Sequence, residues 1–218
     1  MKNSRLVAIT LSCWLVFAGC TDKVPTAPIK AASVRNFPNT IGRSWTYHVI
    51  DNLQPVDPNK PDPVIDTFSV TIDRLSTDPQ SGLTATVWTY ERNRIPIPEK
   101  LVVIKADTVY KYWNWQNSDK VGLVFPFDYR DSWETGGFLS GDRTTVTDTL
   151  SLRVQGGNFP RVYELVNERR TTVSTDKRTM TFWFVPDFGF IKIHIHEVHA
   201  LSVGDTTWTL VSHNNPDF

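Results

Sequence analysis

Phe68-Ser69-Val70-Thr71-Ile72-Asp73 alternates apolar and polar side chains without a break, three of each. Successive side chains of an extended chain point to opposite faces, so Phe68, Val70 and Ile72 share one face and Ser69, Thr71 and Asp73 the other. A helical winding would scatter the same six around its circumference. The stretch reads as a strand with one buried and one wet face. Working outward, runs rich in β-branched and aromatic residues recur at 45–50, 83–91, 101–105, 108–115, 121–125, 144–154, 161–167, 179–185, 190–201 and 206–212. Between them lie turn formers such as Gln80-Ser81-Gly82 and Gly156-Gly157-Asn158, which supply the positive φ that tight turns need. The segment 52–63, with four prolines, reads as an exposed loop, and 129–136 as a short helical turn. No window sustains a 3.6-residue period. The expectation is an all-β domain: one curved antiparallel sheet, half-barrel or barrel of about ten strands, bent or closed to protect its edges.

A spacing repeats within this pattern. Phe37-Pro38, five residues, then Ser44-Trp45 recurs as Phe125-Pro126, five residues, then Ser132-Trp133. Both pairs are offset by 88 positions. A proline-set turn would swing the chain under a tryptophan that opens the next strand, so the domain reads as two related halves starting near Phe37 and Phe125.

The N-terminus has the parts of an export signal: Lys2 and Arg5, an apolar run over 6–18, and a small-residue site at Gly19. As a helix that run covers roughly 20 Å against a hydrocarbon core of roughly 30 Å, too little to span. Val16-Phe17-Ala18-Gly19-Cys20 resembles the bacterial lipobox, with Phe17 where that pattern prefers Leu. The resemblance implies cleavage before Cys20 and a diacylglycerol on its sulfur, with two or more acyl chains giving stable anchoring. The expected organisation is a signal peptide over 1–19, a lipidated cysteine and flexible tether over 20–36 that stands the domain off the membrane, and one β domain over 37–218. The expected location is the cell envelope, the outer membrane favoured.

Loss of residues 1–19 takes two of 23 basic residues and none of 23 acidic ones, leaving a net charge of −2 and no sign of a nucleic-acid partner. With Cys13 removed and Cys20 lipidated, no disulfide is available. The core alone must stabilise the domain, and the chain's 26 aromatic residues, 24 of them beyond residue 19, suit that task.

The opening Phe37-Pro38-Asn39-Thr40-Ile41-Gly42-Arg43-Ser44-Trp45-Thr46-Tyr47, together with Phe182-Trp183-Phe184-Val185-Pro186-Asp187-Phe188-Gly189-Phe190-Ile191-Lys192, is similar to uncharacterised envelope lipoproteins. In these, the two motifs bracket a curved antiparallel sheet. The resemblance covers roughly residues 37–200; it implies a fold and no activity or catalytic residue. The chain is more loosely similar to the half-barrels of periplasmic lipoprotein carriers and their outer-membrane receptor, whose concave apolar face holds acyl chains.

Candidate sites are few. His194-Ile195-His196-Glu197-Val198-His199 has metal-ligand composition, and His194 and His196 share one strand face. With Ile191, Ile193 and Ile195 as the buried row, Lys192, His194 and His196 form an ordinary polar row on the wet face, and no metal or other cofactor is expected. Glu197 and His199 would fall on the apolar side, which a bulge near His196 would avoid. Tyr110, Tyr112, Trp113 and Trp115, with Trp88 and Tyr90, read as core fillers before a stacking surface for sugars, a partner protein or a bilayer interface. Asp142, Asp148, Glu164 and Asp187 read as loop and solvent-face residues. There is no nucleophile elbow and no phosphate-cradling glycine loop.

The first functional reading is a non-enzymatic lipid-anchored domain that binds an envelope partner or an apolar or lipid ligand on the concave face. The second is a scaffold lipoprotein with a filled core. The third is a metal-dependent hydrolase built on His194, His196 and Glu197.

Overall fold

A computed structural model of the chain describes residues 31–55, 64–110, 121–135, 142–169, 177–199, 202–216 and 218. The strands are β1 (Ser44–Pro55), β2 (Val64–Thr77), β3 (Thr84–Arg92), β4 (Ile95–Lys105), β5 (Thr108–Tyr110) and β6 (Val121–Val124). They continue with β7 (Ser132–Glu134), β8 (Arg143–Val154), β9 (Gly157–Glu168), β10 (Lys177–Val185), β11 (Gly189–His199) and β12 (Ser202–Asn214). All belong to one antiparallel sheet in the order β6-β5-β4-β3-β2-β1-β12-β11-β10-β9-β8-β7, rolled into a nearly closed barrel.

The all-β expectation is met, with twelve strands instead of about ten. The eleven runs read along the sequence become twelve described strands through one addition, and one of the eleven starts earlier than expected. Residues 132–134, read as part of a helical turn, form β7, because Ser132-Trp133-Glu134 finds a partner in Arg143-Thr144-Thr145 of β8. β4 begins at Ile95, where Pro96 and Pro98 had masked the strand. β1 also runs into the expected proline loop: Asn52 to Pro55 pair with Asp205 to Ser202 of the long β12. The rest of that loop, 56–63, lies outside the described residues, as do Tyr112, Trp113, Trp115 and residues 1–30 with Cys20.

Strands β1 to β6 form one up-and-down meander and β7 to β12 another, joined where β1 pairs with β12. The recurrent Phe-Pro…Ser-Trp spacing marks the start of each. In the first copy Gly42 N donates to Ile72 O, Ile72 N to Arg43 O, and Arg43 N to Thr40 O, at 2.8, 2.9 and 3.3 Å. In the second Arg130 N donates to Val146 O, Val146 N to Asp131 O, and Asp131 N to Asp128 O, at 2.9, 2.8 and 3.1 Å. The turn residues are offset by the same 88 positions as the motif. Trp45 faces Val70 and Trp133 faces Thr144, each two residues before the anchoring Ile72 or Val146. A register shift follows at the same place in both copies, between Ile72 and Arg74 and between Val146 and Asp148. The described strands form a structural repeat of two six-stranded units.

The repeat's symmetry would pair β6 with β7 as β12 pairs with β1. Among the described residues β6 has four and β7 three, against 12 and 13 for β1 and β12, and the two are not paired. Phe125 and Phe127, in the connection, turn inward and are 3% and 1% exposed. Phe127 meets Tyr163 edge-on at 5.2 Å and stacks with Trp133 at 5.6 Å. Ala32 bridges to Phe127 by two backbone hydrogen bonds of 3.0 and 3.2 Å and is itself buried.

From Ala32 the chain crosses this end of the barrel as a strap. A short 3₁₀ turn, Val34–Asn36, is capped reciprocally by Ser33 and Asn36. Asn36 Nδ2 donates to both carboxylate oxygens of Asp187, at 2.9 and 3.0 Å, and Asp187 N donates back to Asn36 O. Phe37 then stacks on Trp88, which stacks on Trp45 at 5.6 Å and 11°. Asn39 Oδ1 accepts from Thr86 Oγ1 and Trp88 Nε1. Residues 32–36, expected in the tether, are thus docked on the domain. The interior is one hydrophobic cluster that takes side chains from both units and from the strap. Each well-placed aromatic pair adds about 0.5–1.5 kcal/mol beyond its buried area.

Candidate functional site

Residues opposite one another in an antiparallel ladder share a face, so the interior can be followed in layers across neighbouring strands. One layer holds Val49, Trp208, Ile193, Phe182 and Leu165, with Asp66 opposite Val49 on β2. The next, toward the end opposite the strap, holds Asp51, Thr206, Ile195, Met180, Asn167 and Thr144. Above it Glu197 of β11 faces Arg178 of β10. The inner face therefore passes from mainly apolar and buried to mainly polar and half-buried.

Several polar groups of that upper region are paired. Arg178 Nε lies 2.9 Å from Glu197 Oε1, and the two side chains are 35% and 37% exposed. Thr206 Oγ1 donates to Asp51 Oδ1. Asn167 Nδ2 donates to Thr135 Oγ1 and Thr144 Oγ1 at 2.8 and 3.0 Å. Asp66, buried within the layer, accepts from Asn93 Nδ2 at 2.5 Å and from Arg92 Nε at 2.6 Å. Those two donors hold its carboxyl below the usual carboxylate range, the Asn93 bond first, against the opposing effect of burial. Deeper down, burial pushes the phenols of Tyr47 and Tyr90 well above their ordinary value, and Tyr47 OH donates to Phe190 O at 2.8 Å.

The histidine row lies on the outer face, as alternation required. Ile191 and Ile193 are fully buried and Ile195 half-buried, whereas the side chains of His194 and His196 are 38% and 43% exposed. The expected bulge near His196 is absent. β11 and β12 pair without a shift from Lys192–Thr209 to His199–Ser202, because Arg178 neutralises Glu197 on the inner face and removes any need to turn it outward. His194, His196 and Glu197 are consequently not brought together. The third member on the outer face is Asp205 of β12, whose Oδ1 lies 3.1 Å from His194 Nε2 and 2.9 Å from His196 Nδ1. These contacts, His196 first, hold the Asp205 carboxyl below its ordinary range. Among the described residues no group of three or more His, Cys, Asp or Glu side chains is disposed to hold a metal ion.

Trp88 and Tyr90 are core, 1% and 7% exposed, and Tyr110 is half-buried. Asp148 and Glu164 are local: Asp148 accepts from Thr149 N, and Glu164 from Thr147 Oγ1. Asp187 is exposed and in a loop as expected, but it also fastens the strap. Asp142 O accepts from Thr135 N across the β7–β8 connection. The residues that sequence reasoning missed, Asp51, Asp66, Arg92, Arg178 and Asp205, are ordinary polar residues of strands. The one signal available was Asp66 flanked by Ile65 and Thr67 at the head of the clearest alternation, on the apolar parity of Phe68.

No protein-family model and no curated protein matches the chain. Among solved structures, one from Bacteroides fragilis, provisionally described as an exported protein with a YmcC-like fold, superposes at a TM-score of 0.46 with 13% identity, covering 85% of this chain and 100% of that one. Another, from Parabacteroides distasonis and provisionally described as a lipoprotein, gives 0.38 and 12% with the same coverage. Both likenesses are too distant to transfer a function.

Proposed function

We propose that this protein is a lipid-anchored, non-enzymatic domain of the bacterial cell envelope that binds an amphiphilic ligand in the open end of its barrel. The observation that carries the reading is the change along the concave face. Phe182 and Ile195, half-buried above the closed core, offer an apolar seat, and Arg178, Glu197, Asp51 and Thr206 stand above it as a polar mouth. Binding sites for small molecules combine a largely apolar wall with a few placed polar groups in this way. Anchoring is supported by the lipobox resemblance ending at Cys20, and the envelope location follows from it.

Native mass spectrometry of protein purified from membranes tests the reading. The expected result is a bound molecule with an apolar body, released or weakened by Arg178→Ala with Glu197→Ala. Ligand-free protein, with no exchange of added fatty acid or phospholipid, would reject it. A second reading, a scaffold lipoprotein with a filled core, is favoured by the aromatic cluster that closes the strap end, and ligand-free protein would leave that one standing.

A further inference from the structure

The two opening turns of the repeat each carry an exposed apolar side chain. Ile41 in the first is 49% exposed, and Tyr129 in the second, its equivalent 88 positions on, is 50% exposed. β1 and β7 run in the same direction in an alternating antiparallel sheet, so both turns stand at one end of the barrel. The strands they open are six places apart in the twelve-strand order, which puts the tips on opposite sides of the rim. Leu83, just before β3, and Phe218, beyond β12, emerge at that end too, 36% and 53% exposed. The strap enters there through Ala32 and Phe127.

We propose that this end of the barrel seats on the bilayer, with Ile41, Tyr129, Leu83 and Phe218 entering the interfacial layer of the membrane that carries the lipid of Cys20. The inference rests on the anchored reading above and adds an orientation to it: strap end down, polar mouth away from the lipid. Three observations support a lipid surface as the occupant. The twelve residues from Cys20 to Ala31 can reach roughly 40 Å at most, so the end that receives them is the end held within that distance of the membrane. Two symmetry-related tips on opposite sides of a rim can both touch a flat partner, whereas a small ligand can meet only one. The tips are apolar on otherwise polar turns, and the Arg130 guanidinium lies 5.0 Å above the Tyr129 ring, a pairing of aromatic and cation that suits the headgroup level.

The test uses the chain beginning at Cys20, whose single thiol can be coupled to maleimide-bearing vesicles of phosphatidylethanolamine and phosphatidylglycerol, with hydroxyl-radical footprinting read by mass spectrometry. On vesicles Ile41, Tyr129, Leu83 and Phe218 should oxidise severalfold more slowly than in free protein, while Ile65 and Ile95 at the far end keep their rates. The Ile41→Asp, Tyr129→Asp double variant, still folded and coupled, should lose the protection at Leu83 and Phe218. Equal rates on and off vesicles, protection at Ile65 and Ile95 instead, or protection that grows with protein density and so reports contacts between copies, would each overturn the proposal. Because the coupling is chemical, these outcomes stand apart from whether the cell lipidates Cys20, which the mass of the N-terminal peptide from membranes decides separately.

Discussion

Gly42 and Arg130 occupy the same position in the two copies of the opening turn, with φ of +89° and +73°. Each donates its backbone N–H to the buried residue, Ile72 or Val146, that anchors the turn to the second strand of its unit. A glycine takes the left-handed region without steric cost, whereas an arginine is strained there by about 1 kcal/mol or more. Nothing lies within 4 Å of a Cβ placed on Gly42. Gly42→Ala should therefore cost about 1 kcal/mol for conformational reasons alone, and Arg130→Gly should leave stability unchanged or raise it by a few tenths. Urea midpoints of the two variants check the pair, and a loss in Arg130→Gly as large as in Gly42→Ala would refute the equivalence.

Gly156 makes a closer contact. A Cβ there would sit 2.7 Å from Leu210 Cγ, and Leu210 is fully buried. Gly156 N also donates to Leu210 O at 3.1 Å, tying the β8–β9 turn across to β12. Gly156→Ala should destabilise by about 1–3 kcal/mol through overpacking. In a double-mutant cycle, Leu210→Ala should cost less in the Gly156→Ala background than in the native one, because each change relieves the other.

Acid should weaken the fold through specific carboxylates. Asp66 and Asp205 have folded pKa values below their unfolded ones, so each contributes stability that is present above about pH 4 and is lost as pH falls through the folded value. His213, edge-on to Phe188 at 4.9 Å, has its pKa lowered by burial. Its neutral form is the one the fold accepts, so stability falls as pH drops below about 6.5, where the unfolded chain takes the proton first. Denaturation from pH 7 to 3 should show two descents. His213→Gln should flatten the upper one and Asp66→Asn the lower.

The strap is predicted to stabilise the barrel. A chain starting at Phe37 loses the Ala32–Phe127 bridge and the Asn36–Asp187 bonds, and should be less stable by about 1–3 kcal/mol. Asn36→Ala in the full domain should reproduce part of that loss in thermal unfolding. Unchanged stability in both would mean the strap rests on the domain without contributing to it.

Asp205 should matter little to stability. It and its histidines are more than a third exposed, and polar contacts so placed are worth about 0–1 kcal/mol. Asp205→Ala should fall within that range in a urea titration.

Much of this molecule is local in origin. Period-two alternation, as in residues 68–73, depends on each residue and its neighbours, and so do the turn glycines, the parity that sends His194 and His196 outward, and the motif spacing that marks two units. Those features could be read directly along the chain. The misreadings were also local in kind: Pro96 and Pro98 hid the start of β4, and a three-residue strand such as β7 is too short for any pattern to show.

Other features depend on which distant residues meet, and no nearest-neighbour rule supplies that. Glu197 stays inward because Arg178 comes to face it from the adjacent strand. His194 and His196 acquire Asp205 only once β12 lies beside β11. The second half of the repeat becomes part of one barrel because β1 and β12, at opposite ends of the domain, pair along the whole length of β1, while beside β6, within the described residues, Phe127 bridges to Ala32 of the strap. Strand length and alternation are carried by the residues in order; partner choice comes from a packing optimum over the whole sheet.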